Sequence, residues 1–190
     1  MGSNRNPWLA LLAAALAGAA LPGAASAERL TTLYSFAGGA DGAYPGNGLL
    51  MDKNGALYGT TEGGDTKKNF GTVFMLTPPK NQAGKWTKQN LYSFKGGKDG
   101  SLSTSTLVFR DGNLFGTTSG GGNLGCDCGT IFKLARTQNG WKETIPHRFT
   151  SVPDGAYAYY GLTYDGVSSF YGTTVNGGVH NQGTVFQFVP

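Results

Sequence analysis

Histidine is nearly absent from these 190 residues: the chain has two, His147 and His180, beside two cysteines, Cys126 and Cys128. A nucleophile-and-base site needs a histidine near Ser or Cys with an orienting acid. No G-x-S-x-G elbow is present either, so that chemistry has little to build on. Charge is scarce too, with 14% Asp, Glu, Lys and Arg and a net charge of +4. The basic residues are scattered or paired, as at Lys67-Lys68, whereas a nucleic-acid footprint needs a clustered basic face. Long apolar runs are limited to one, Trp8 to Ala20, which follows Arg5 and precedes Ala25-Ser26-Ala27. That run is shorter than the roughly 20 residues that span a bilayer. A basic start, an apolar middle and a small-residue end form the pattern of a cleaved export signal. The expectation is a signal peptide over 1–27, cut after Ala27, and a single mature domain over 28–190 without a membrane span. Its location would be periplasmic, cell-surface or extracellular.

What the chain has in abundance is glycine, 32 residues, with aromatic side chains at 12%. Self-similarity explains both. The segment LYGTTEGGDTKKNFGTVFML, Leu57 to Leu76, recurs as LFGTTSGGGNLGCDCGTIFKL from Leu114 and as FYGTTVNGGVHNQGTVFQF from Phe170. The GTT triplets begin at Gly59, Gly116 and Gly172, 57 and 56 residues apart. LYSF at Leu33 and Leu91 becomes His147-Arg148-Phe149 in the third occurrence, and Asp-Gly follows at Asp41, Asp99 and Asp154. The units run approximately over 37–94, 95–149 and 150–190, after a leading strand at Leu30 to Phe36.

Runs of five to seven residues rich in Thr, Val, Phe and Tyr, bounded by Gly, Asn and Asp, read as strands. Unit one predicts strands near Gly48 to Asp52, Ala56 to Thr61, Gly71 to Leu76 and Trp86 to Phe94. Asn54-Gly55, Asp111-Gly112 and Asp165-Gly166 supply the positive φ angles of tight hairpins. Period-2 geometry puts Phe74 and Leu76 on one side and Val73 and Met75 on the other. The phenylalanine side stays apolar in every copy, as Phe132 with Leu134 and Phe186 with Phe188, while Met75 becomes Lys133 and Gln187. One face is therefore expected buried and the other only partly. Four antiparallel strands per unit, stacked face to face, is the pattern of a propeller blade. The fold class is all-β, with tandem four-stranded antiparallel repeats, β-propeller-like, of three blades.

The repeated G-x-L-Y-G-T-T, glycine-rich loop and G-T-V-F resemble the bacterial tandem repeat called GloVer, found in exported proteins with varied C-terminal anchors. The resemblance covers nearly all of residues 28–190 and implies a surface or extracellular location and a β-propeller. It carries no activity over to named residues. The last unit ends on a strand, Gln187-Phe188-Val189-Pro190, without a sorting tail. Three blades are fewer than the four to eight of closed rings, so the expected array is partial or completed by oligomerisation. In the second case two chains form a six-bladed ring, each donating Leu30 to Phe36 to the last blade of its partner.

Few residues suggest chemistry. Cys126-Asp127-Cys128 lies in the glycine-rich loop of unit two alone, and three readings stand: a local disulfide, free thiols, or a metal site. The last is weak, because His180 belongs to another unit and structural zinc wants four ligands. His147 takes the place of the tyrosine of LYSF and reads as an aromatic substitute. Asp41, Asp99 and Asp154 stand at equivalent positions before glycine, where turn chemistry explains them better than paired glycosidase carboxylates. Tyr157, Tyr159 and Tyr160 cluster in one unit only and could line a sugar- or peptide-binding surface. The expected function is a non-catalytic exported repeat module for binding or interaction, with a glycan or protein partner and no cofactor. The alternatives are a secreted carbohydrate-active enzyme using loop carboxylates, or a remnant of a longer repeat array.

Overall fold

The computed structural model describes residues 28–63, 70–81, 84–122 and 125–190; the expected signal peptide, 1–27, lies outside them. The chain divides into Met1–Thr31 and Thr32–Pro190, and the fold is that of the second part. Its described residues form three antiparallel sheets, one per repeat.

The first sheet contains β1 (Ala43–Pro45), β2 (Leu50–Met51), β3 (Leu57–Gly63), β4 (Thr72–Thr77) and β5 (Thr87–Ser93). Its order is β1-β3-β4-β5, with β2 continuing the inner line against β3. The second has β6 (Val108–Arg110), β7 (Asn113–Thr118), β8 (Thr130–Thr137) and β9 (Gly140–Arg148), in that order. The third has, among the described residues, β10 (Leu162–Tyr164), β11 (Phe170–Thr174) and β12 (Thr184–Phe188). The hairpins form where the sequence supplies the geometry. Asp111 and Gly112 both take positive φ between β6 and β7. At the other two turns Asp52 and Asp165 accept backbone N–H groups two to four residues on.

Hydroxyl pairs, buried in the first two sheets and half-buried in the third, account for the recurring threonines. The second Thr of GTT meets the Thr of GTVF directly across the strands: Thr61 Oγ1 and Thr72 Oγ1 lie 2.8 Å apart, Thr118 and Thr130 2.9 Å, Thr174 and Thr184 2.8 Å. The glycine of each Asp-Gly sits on this pair. A Cβ on Gly100 would come within 2.8 Å of Thr118 Oγ1, and φ there is +94°. Only glycine satisfies both demands.

Packing between sheets corrects one expectation. Val73 and Ile131, assigned to the partly buried side, are fully buried, because that side meets the next sheet. Ala56, Tyr58, Val73, Leu91 and Phe94 of the first unit pack on Leu107, Leu114, Phe132 and Leu134 of the second. Phe115, Ile131 and Phe149 of the second pack on Leu162 and Phe170 of the third. A second correction concerns equivalence. Phe74 and Phe132 are fully buried, but Phe186 is only half-buried.

The leading segment departs from expectation as well. Leu30 to Phe36 forms no hydrogen-bonded strand. A strand exists by its ladder, and among the described residues nothing pairs with this segment. Tyr34 and Phe36 instead pack over Leu57, Phe74 and Leu76.

Candidate functional site: the aspartate locks and the tyrosine loop

Each repeat ties its Asp-Gly loop to the segment before it, a strand in the second and third repeats, through one carboxylate. Tyr34 Oη donates to Asp41 Oδ1 at 2.7 Å, Tyr92 Oη to Asp99 Oδ1 at 2.6 Å, and His147 Nε2 lies 2.8 Å from Asp154 Oδ2. The other oxygen of each carboxylate accepts a backbone N–H, from Ala37, Lys95 and Thr150. The aromatic ring is itself held edge-on by the next phenylalanine, with centroids 5.2 Å apart for Tyr34–Phe36, 5.4 Å for Tyr92–Phe94 and 4.9 Å for His147–Phe149. Those phenylalanines meet Phe74, Phe132 and Phe186 in three near-identical T-shaped contacts. The imidazole of His147 thus does what the tyrosines do. Against the desolvation that would raise it, the bonds from Tyr34, Ala37 and Lys88 hold the Asp41 carboxyl below its ordinary value. Bonds from Thr150 and His147 do the same for Asp154. Burial, and then the bond to Asp99, push the Tyr92 hydroxyl up.

Two residues beside these locks were not among those singled out from the sequence. Lys88 stands opposite Leu76 and Glu143 opposite Leu134, so they hold the same place in the first and second sheets. Lys88 Nζ lies 3.2 Å from Asp41 Oδ1 and 5.4 Å from the centroid of Phe36. Glu143 meets a carboxylate of its own sign. Burial first and the neighbouring Asp99 second raise its carboxyl to about 7, against weaker lowering by Arg148 and Lys95. Its Oε1 is buried without a hydrogen-bond partner among the described residues. The signal was available in the sequence, since both residues follow the opening Trp86 or Trp141 by two.

Cys126 and Cys128 are disulfide-bonded, with Cα atoms 5.2 Å apart. Asp127 between them has positive φ and accepts the Gly121 N–H, and Asn181 does the same for Gly177 in the third unit. Among the described residues no group of three or more His, Cys, Asp or Glu could hold a metal ion, and no helix is long and apolar enough to cross a membrane. His180 is exposed in a turn. Tyr157, Tyr159 and Tyr160 do come together, with centroids 6.4 Å apart in each successive pair. Tyr157 is half-buried against the core and has positive φ. Tyr159 and Tyr160 are exposed. The Tyr159 carbonyl accepts Asn47 Nδ2 and Thr104 Oγ1, so all three units meet at this loop.

Three sheets with the same carboxylate lock, the same hydroxyl pair and the same phenylalanine contact establish one repeated unit. The family model described as the Gloeobacter/Verrucomicrobia repeat matches residues 21–190. The chain belongs to that family. No curated protein and no solved structure matches it. In the Gloeobacter/Verrucomicrobia repeat as this chain folds it, G-T-T and G-T-V-F are the halves of a hydroxyl clamp, and Asp-Gly is the lock above it.

Proposed function

We propose that this repeat module acts outside the cytoplasm as a non-catalytic interaction domain, using the tyrosine loop toward a glycan or protein partner and its end sheets for self-association. The observation that carries this reading is the division of labour among the polar residues. The carboxylates that recur in every unit each bind an aromatic donor from the segment just before their loop, while Tyr159 and Tyr160 are exposed at the loop where the three units meet. Paired tyrosine faces suit the apolar faces of sugar rings and extended peptides alike. A glycan array probed with the exported protein tests it. Binding that is lost in Tyr159→Ala and Tyr160→Ala supports the reading, whereas binding unchanged in both removes the loop from it. Export is checked by the mass of the secreted product, which should begin at Glu28.

One observation favours a second reading, a secreted carbohydrate-active enzyme. Glu143, with a carboxyl raised to about 7 beside Asp99, has the protonation of a general acid near neutral pH. Hydrolysis of a polysaccharide that Glu143→Gln abolishes would establish it.

A further inference from the structure

The two end sheets present the separated halves of an interface that the chain makes twice within itself. One half is the near side of each sheet, Leu49 with Leu57 and Phe74, then Leu107 with Leu114 and Phe132, then Leu162 with Phe170 and Phe186. In the second and third sheets it is covered by the preceding unit, and Leu107 and Leu162 are 1% and 6% exposed. In the first sheet Leu49 is 52% exposed, beside a cavity of about 350 Å³ lined by Leu33, Phe36, Leu49, Leu57, Phe74 and Leu76. The other half is the far side, and its exposure runs in the opposite direction. Val73 and Ile131 are 0% and 1% exposed, but Val185 at the same repeat position is 82% exposed.

The hydrogen-bonding groups are divided in the same way. β4 and β8 each carry an outer strand, and β12 has none among the described residues. At the matching end Thr32–Phe36 has the LYSF sequence of those outer strands and no ladder. An unpaired strand edge is a template for another chain, and a far face without its near face leaves apolar surface in water.

We propose that the occupant of both ends is a second copy of this chain, joined head to tail, so that two chains close a six-bladed ring. Heterologous contacts generate a ring when their rotation closes, and six lies within the four to eight blades of propellers. The internal interfaces dictate the register. Val73 pairs with Tyr92 and Ile131 with His147, so Val185 pairs with Tyr34 of the second copy. Phe94 N–H donates to the Gly71 carbonyl and Phe149 N–H to that of Gly129, so Phe36 N–H donates to Gly183. Leu102 N–H donates to the Phe70 carbonyl and Tyr157 N–H to that of Cys128, so Tyr44 N–H donates to Gln182. Tyr44, Leu102 and Tyr157 share the same positive φ, of 55°, 55° and 62°. The first unit therefore holds this amide in the conformation that the other two use to reach their neighbour.

Light scattering on the full exported chain reads the outcome directly. A mass of two chains is expected; a mass of one chain, or an open series of higher masses, overturns the ring. Val185→Arg and Leu49→Arg change residues already exposed in a single chain, so each is expected to keep the circular dichroism of the parent and to lose the dimer. An equimolar mixture of the two variants retains one undamaged interface, from the Val185 side of the Leu49→Arg chain to the Leu49 side of the Val185→Arg chain. Association regained in the mixture supports the head-to-tail arrangement. Dimers persisting in both single variants, or no association in the mixture, overturn it. Should either arginine fail to fold, Val185→Ser and Leu49→Ser carry the same comparison. The ring rests on the self-association part of the proposed function and not on its glycan-binding part, so the scattering measurement and the array fail separately.

Discussion

At the scale of single residues, one carboxylate per repeat does the work of a clasp, and its energetic role can be read in isolation at Asp99. Removing it as Asp99→Ala strands the Tyr92 hydroxyl and the Lys95 N–H that it binds at 2.6 and 2.7 Å. Hydrogen bonds to a charged partner contribute about 1.5–3 kcal/mol each, and water can replace part of that at this half-buried site. A loss of about 1–3 kcal/mol in a urea titration is expected. Glu143 gives a prediction with a definite sign. Its folded-state carboxyl is raised from 4.5 to about 7, so the folded protein holds that proton more tightly than the unfolded chain. The stabilisation is fully present below about 4.5 and is lost as pH rises through about 7. Asp99, Tyr92, Lys95 and Arg148 are the charged or titratable groups around it. Asp41 and Asp154, whose carboxyls are lowered, act in the opposite sense and only in more acidic solution. Glu143→Gln should therefore gain melting temperature relative to the parent between pH 5 and 8. A difference that stays flat across that range would show that the carboxyl is not perturbed.

At the scale of strands and loops, much was legible because local chemistry and global position agree. GTT and GTVF announce strands by composition, and Asp-Gly announces a turn, so β3, β4, β7, β8, β11 and β12 lie close to where the sequence puts them. Context was not legible. Alternation along Gly71 to Leu76 separates Phe74 from Val73 but cannot say that another sheet covers Val73. Nor can composition tell that Leu30 to Phe36, with the residues of an outer strand, finds no partner within the described chain. The lock at His147 was visible only as a substitution for tyrosine, and its carboxylate partner came from the fold. The cysteine loop illustrates the same limit from the other side. Its rarity draws attention, yet the third unit forms the equivalent loop with Asn181 and no cysteine. A closure spanning three residues removes little entropy from the unfolded chain. Replacing Cys126 and Cys128 together by Ser should shift stability by about 1 kcal/mol or less, measured by thermal melting under non-reducing conditions.

At the scale of the whole molecule, a repeat array distributes its stability according to neighbours. The middle sheet has another sheet on both sides; the end sheets have one each. In such arrays stability is approximately a sum of unit and nearest-neighbour terms, so the middle unit should be the last to open. Phe132→Ala, in the fully buried middle, is expected to cost about 3–5 kcal/mol, and Phe186→Ala less, because it is half-buried beside an open edge. Amide exchange resolves the same gradient without mutation, since local opening free energies range from near zero to the global value. Ile131 and Phe132 on β8 should exchange only by global unfolding. Val185 and Phe186 on β12, and Phe36 in the leading segment, depend on whether a second chain covers them. Association adds stability by mass action, so the protection of these ends should rise with protein concentration. Exchange at Val185 and Phe36 that is equally fast at all concentrations would mean that these ends stay open in solution. Slowing of both together, with Val185→Arg abolishing the effect, would tie the protection of the two ends to one interface.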